Sequence, residues 1–218
     1  MGKPVVHLFK LGVETSNVEI FHKAGINNLS DSYQNEPGTL AMYSSQINEE
    51  TNSFIVFEVY QDEKSYQKHI NSDHYQNFTH QVSEKLTEQQ AFEIEPIFLE
   101  EKLPSSKWIG SEHYNLKFAQ ILIKKNCEDD FKVSVMKNMK ASMANEEGVL
   151  AMYALQDKQN KYQWYFYEVY NNDDAYTTHC NTSHFKTYIN ETTDMLKEKL
   201  LLDLKNDVMV TQGQLRFS

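Results

Sequence analysis

The chain repeats itself at a shift of 110 residues, and this limits its fold more than any other feature. Gly38 recurs as Gly148, and Leu40-Ala41-Met42-Tyr43 as Leu150-Ala151-Met152-Tyr153. Gln46 recurs as Gln156, and Glu58-Val59-Tyr60 as Glu168-Val169-Tyr170. Tyr66, His69, Asn71 and His74 recur as Tyr176, His179, Asn181 and His184, with no gap in between. An ungapped match of this quality marks a tandem duplication. The spacing is too long for a solenoid unit and right for a small domain. Residues 1–99 form the first repeat, 100–112 a linker carrying Pro104 and Gly110, and 113–218 the second repeat.

Each repeat reads as the same series of elements. Val5 to Leu11 alternates as a strand does, and Glu14 to Tyr33 carries apolar residues near helical spacing. Gly38 marks a turn before a strand at Thr39 to Gln46. A polar hairpin loop then leads to the β-branched and aromatic run Ser53 to Tyr60. A helix follows, and a fourth strand from Phe92 to Leu99 closes the unit. The expected class is α+β, with two ferredoxin-like β-α-β-β-α-β repeats. Each sheet keeps its helices on one face and leaves the other in need of cover. The short linker, and strands apolar on both faces (FIVFEVY and WYFYEVY), predict that the two sheets cover each other. That arrangement is a dimer-like barrel built within one chain, leaving further homodimerisation open.

The repeated FEVYQDEKSYQKHINSDHYQNF holds the candidate chemistry. Asp62 is placed to cap one helix and Ser72 a second. His69 and His74 therefore straddle a helix break, as do His179 and His184. Tyr75, Phe78, Val82 and Leu86 form a helical stripe that belongs to the core. Glu58 and Tyr60 project to one side of their strand and Val59 to the other. If that side faces the helix layer, a buried carboxylate needs a partner, and a histidine at the break is the expected one. A Glu–His pair can move protons, although it serves structure more often than catalysis. Glu, His and His could also ligate zinc or iron. Histidines five apart across a break, however, are not the face-sharing pair of a helical metal motif, so no metal ligand is assigned. No phosphate loop, dinucleotide fingerprint or nucleophile elbow is present. His7, His22, His80 and His113 have no counterpart in the other repeat; His22, His80 and His113 are expected at the surface, while His7, which lies on a strand, is left open.

A net charge of -10 argues against a nucleic-acid partner and against an anionic membrane surface. No apolar run approaches the roughly 20 residues that span a bilayer. The N-terminal MGKPVVHLFKLGVE lacks the form of a signal peptide, and Cys127 and Cys180 are too few for a stapled secreted scaffold. A cytoplasmic, reducing setting is expected.

GTLAMY, the hairpin and FEVYQDEKSYQKHINSDHYQNF, with its second copy YEVYNNDDAYTTHCNTSHFKTY, resemble the antibiotic-biosynthesis monooxygenase (ABM) superfamily of dimeric α/β barrels. The resemblance covers both repeats and makes this chain look like a fused pair of what other members build from two chains. It implies a cavity between sheet and helices. Glu58, His69, His74, Glu168, His179 and His184 would be its catalytic residues. Tyr60, Tyr66, Tyr170 and Tyr176 would bind substrate. It implies cofactor-independent oxygenation of a small quinol or other enolisable aromatic, with molecular oxygen as co-substrate. Haem is not expected, because Tyr60 and Tyr170 stand where a haem-degrading member would carry Trp. Other members imply alternatives: an isomerase of a small sugar phosphate, or a non-catalytic ligand-binding or stress module.

Overall fold

In the computed structural model, residues 2–110 and 113–218 are described; Ser111 and Glu112 of the linker lie outside them. The first repeat runs β1 (Val5–Val13), α1 (Val18–Asn35), β2 (Thr39–Ile47), β3 (Glu50–Tyr60), α2 (Glu63–Ile70), α3 (Asp73–Val82), β4 (Leu86–Phe92) and β5 (Ile94–Glu101). After a short β6 (Ser106–Ile109), the second repeat runs β7 (Asn115–Ile123), α4 (Glu128–Asn145), β8 (Val149–Asp157), β9 (Gln163–Tyr170), α5 (Asp173–Asn181), α6 (Ser183–Thr192), β10 (Leu196–Thr211) and β11 (Arg216–Phe217). The linker is thus partly a strand, because Ser106–Ile109 pairs with β10. No helix among the described residues is long and apolar enough to cross a membrane.

The strands form one sheet in the order β11-β5-β8-β9-β7-β10-β2-β3-β1-β4, all neighbours antiparallel. The fourth strand is twice as long as its apolar run suggested. It starts at Leu86, breaks at Glu93 and ends at Glu101. Its first half pairs with β1 of its own repeat and its second half with β8 of the other. β10 does the same, pairing with β7 and then, across a bulge near Asp207, with β2. These two shared strands close the sheet into a barrel, and closure removes the exposed edges that invite aggregation.

Alternation along the strands fills both sides. Phe57, Val59, Tyr167 and Val169 face the barrel interior, where they pack with Leu8, Phe118 and Met209. Val56, Tyr60, Phe166 and Tyr170 face outward and lie under the helices. The expected cover of one sheet by the other is therefore found, as a shared interior. The repeated glycines mark close approaches: a Cβ at Gly148 would sit 2.5 Å from Ala175 Cβ, and one at Gly38 would strike Ser65.

Among the described residues the barrel interior holds one carboxylate, Glu101, only 1% exposed. It accepts from Tyr43 Oη at 2.8 Å, from Tyr153 Oη at 2.6 Å and from Thr211 Oγ1. Thr211 is the repeat equivalent of Glu101, so a carboxylate and a hydroxyl face each other where strict symmetry would place two alike. Burial, and next the Glu101 charge, push both tyrosines well above their usual pKa, which keeps them as donors. Glu101→Leu is expected to cost roughly 3 kcal/mol, because three buried hydroxyls lose their acceptor. A thermal melt unchanged by that substitution would show that the cluster contributes nothing.

Candidate functional site

The helix break forms as its caps dictate. Asp62 accepts from Ser65 N at 2.8 Å and starts α2; Ser72 accepts from Tyr75 N at 3.3 Å and starts α3. His69 lies in the last turn of α2 and His74 in the first turn of α3. Their carboxylate partner is not Glu58 but Glu36, at the C-terminal end of α1. His69 Nδ1 donates to Glu36 Oε2 at 2.9 Å, and His74 Nε2 lies 3.2 Å from Glu36 Oε1. Ser32 Oγ lies 3.2 Å from both ring nitrogens. The second repeat builds the same knot: His179 Nδ1 at 3.0 Å and His184 Nε2 at 2.6 Å from Glu146 Oε1.

Burial alone would raise Glu36, yet the hydrogen bond and charge of His69 hold it below its usual range. Glu146 is held down in the same way, by His179 and His184 against the effect of burial. An ionised carboxylate only accepts, so His69 Nδ1 carries a proton. The buried Nε2 on its other side has no partner, and neither does His179 Nε2. Glu36, His69 and His74 present three potential metal-ligand atoms within 4.8 Å, as do Glu146, His179 and His184. His69 Nδ1, His179 Nδ1 and His184 Nε2 are engaged with these carboxylates, whereas Glu36 Oε1, His69 Nε2 and His179 Nε2 are left without a hydrogen-bond partner among the described residues.

A cavity lies where the resemblance implied, between sheet and helices. In the first repeat it measures about 170 Å³. Phe9, Leu11 and Val56 form its sheet wall, Phe21, Gly25 and Leu29 its α1 wall, and Tyr75 and Phe78 its α3 wall. Glu58 lines it and is 8% exposed. Its one hydrogen-bond partner is Tyr60 Oη at 2.9 Å. Burial raises the Glu58 pKa, only partly offset by the His69 charge. Asn28 also lines the cavity, and its buried Oδ1 has no partner. The equivalent cavity of the second repeat holds Glu168 and Asn138, and measures about 70 Å³.

The sites named from sequence therefore divide. Glu58 and Glu168 line the cavities, and Tyr170 and Tyr176 line the second one. His69, His74, His179 and His184 are absent from both linings; His69 sits behind Tyr75, with ring centroids 5.0 Å apart. Tyr60 backs Glu58, and Tyr66 stacks on His7 at 4.2 Å. The expected Glu58–His pair is corrected: Tyr60 takes the place of the histidine because its hydroxyl, two residues along the same strand face, reaches the carboxylate first. His22 is not a bare surface residue either, since it pairs with Asp207 of β10, while His80 and His113 are exposed; His7, left open from sequence, lies on β1 against Tyr66. Glu36 was missed, although the same shift carried upstream of Gly38 aligns Asn28, Ser32, Asn35 and Glu36 with Asn138, Ser142, Asn145 and Glu146.

The antibiotic biosynthesis monooxygenase family model matches residues 4–81 and again 117–191. A candidate monooxygenase from Lactobacillus acidophilus NCFM superposes with a TM-score of 0.91 at 27% identity, over 99% of this chain and 100% of its own. Another, from Fusobacterium nucleatum subsp. nucleatum ATCC 25586, gives 0.91 at 20% identity, over 99% and 98%. An anthrone oxidase-like protein gives 0.59 at 12% identity over 97% and 94%, a likeness of fold alone. No curated protein matches the chain in sequence. The family match falls twice, in tandem, on the stretches that carry the internal repeat and its cavities, and so the chain belongs to the antibiotic biosynthesis monooxygenase family.

Proposed function

We propose that this protein is a cofactor-independent monooxygenase acting on a small quinol or another enolisable aromatic. Family membership and the monooxygenase relatives support a monooxygenase-like function in general. The observation that carries the finer reading is Glu58, a buried carboxylate with a raised pKa and no cationic partner, set in an aromatic-walled cavity. A carboxylate made more basic by burial is better matched to a phenolic proton. Glu58 takes that proton, Asn28 Oδ1 accepts from a second hydroxyl, and Tyr60 steadies the carboxylate. The electron-rich anion then reacts with O2. For a single-ring quinol the products are a hydroxyquinone and water: the ring gives up four electrons and gains one oxygen atom, and the other leaves as water. His69 and His74 act as positioning residues, holding the end of α1 through Glu36.

Among the described residues no Lys or Arg lines the first cavity, and the chain's one arginine, Arg216, pairs with Glu100 at 3.4 Å, so the first cavity offers a sugar phosphate no cationic side chain. Oxygen uptake on a panel of single-ring quinols tests the proposal; no uptake with any quinol that binds would overturn it. Chelator treatment is expected to leave uptake unchanged, because the proposed steps run through Glu58 and Asn28 and through no metal. Loss of uptake that one added divalent metal restores would refute the cofactor-free mechanism.

A further inference from the structure

The two repeats keep the same polar pair, Glu58 with Asn28 and Glu168 with Asn138, yet their cavities differ from about 170 to about 70 Å³. Exchanges act in both directions: Phe9 in β1 stands where β7 has the smaller Ala119, which widens the second cavity, and two others narrow it. Gly25 in α1 stands where α4 has Val135, and Val56 in β3 stands where β9 has Phe166. Phe166 is held in place by stacking on Trp164, with ring planes 12° apart. Gly25 lies in the interior of an 18-residue helix, where glycine costs about 1 kcal/mol against alanine. A Cβ there would meet nothing within 4 Å, so no close packing demands the glycine. What the missing Cβ provides is room in the cavity.

We propose that only the first repeat binds substrate, one single-ring hydroxylated aromatic per chain, and that Val135 and Phe166 close the second site. A dry apolar cavity of about 150 Å³ is enough to hold benzene, which sets the scale of one ring. The first cavity meets that size and the second does not. A ring hydroxyl would give a donor to Asn28 Oδ1, which has none among the described residues; Asn138 Oδ1 lacks one too, but in a cavity too small for a ring. A ring hydroxyl supplies that donor and leaves Glu58 free to take a second one. The ligand class rests on the function proposed above; the one-site asymmetry rests on the cavity walls alone.

Calorimetric titration of the full chain with hydroquinone, under anaerobic conditions, separates the two. The expected stoichiometry is one per chain. Val56→Phe is expected to weaken binding at least tenfold. Gly25→Ala is expected to weaken it while raising the melting temperature, a pairing that a merely unfolded variant cannot give. The double change Val135→Gly with Phe166→Val is expected to open a second site. Two equivalent sites in the unmodified chain, or undiminished binding in Val56→Phe, would overturn the asymmetry. Toluene bound at one per chain with no binding of hydroquinone would overturn the hydroxylated ligand, and with it the proposed function, while upholding the closed second site.

Discussion

Replacing Glu58 by glutamine is expected to abolish oxygen uptake while leaving fold and ligand binding intact. Loss of a positioned general base typically costs about 10²–10⁴ in rate. Glutamine keeps the shape and can still accept from Tyr60, so cavity and wall persist. The pH dependence has a definite sign. The base must be ionised, and burial raises its pKa above the usual 4.5, so uptake fails on the acid side at a higher pH than an ordinary glutamate would give. The same shift acts on stability in the opposite sense. A carboxyl whose pKa is raised by folding is disfavoured as its charged form, so Glu58 costs stability as pH rises through that range. At neutral pH Glu58→Gln should therefore melt no lower than the parent, as expected of a group kept for function against stability. Near-parental uptake in Glu58→Gln would remove Glu58 from the mechanism.

Glu36→Ala is expected to be among the most destabilising single changes, at about 3–5 kcal/mol. It strips the acceptor from His69 at 0% exposure, from His74 and from Thr39 Oγ1 at 3.0 Å. For a chain of this size each kcal/mol lowers the melting temperature by roughly 2–4 °C. Glu146→Ala should match it, because its knot is built from the equivalent residues. The acid sensitivity of the parent follows from the same groups. Glu36 is held low when folded, so its contribution is present above the unfolded value of 4.5 and is lost as pH falls through the folded one. His74 is lowered from 6.5, chiefly by burial and against the pull of Glu36, so protonating it below that value also opposes folding. Both act in one direction and against Glu58, whose raised pKa favours the fold as pH falls: these two groups lower thermal stability as pH falls from about 6.5, more steeply below 4.5. A loss under about 1 kcal/mol in Glu36→Ala would show the knot to be incidental.

Local pattern carried the elements and the faces of this fold, and long-range partners were out of its reach. The alternation in FEVYQ put Glu58 and Tyr60 on one face and Val59 on the other, because side-chain direction in a strand is a matter of counting, but which face lies under the helices came only with the structure. Asp62 and Ser72 announced the helix break through their own chemistry. The carboxylate that clasps the histidines was not visible from their segment, since Glu36 lies 33 residues before His69 and ends a different helix. The sharing of β4–β5 and β10 between repeats was equally hidden. A strand's alternation is the same whichever neighbour it pairs with, and the half legible from sequence, Phe92 to Leu99, is the one that pairs with the other repeat.

That sharing has a thermodynamic consequence. Neither repeat can open alone without stripping half of a strand from its twin, so the duplicated chain should melt in one cooperative transition rather than two. Its denaturant slope should scale with all 218 residues, and amide exchange in β2 and β7 should report the same opening free energy through β10, which touches both. Native pairing also joins Ala41 to Thr211, so the barrel cannot close until almost the whole chain has emerged. Folding dominated by such distant contacts is expected to be slow.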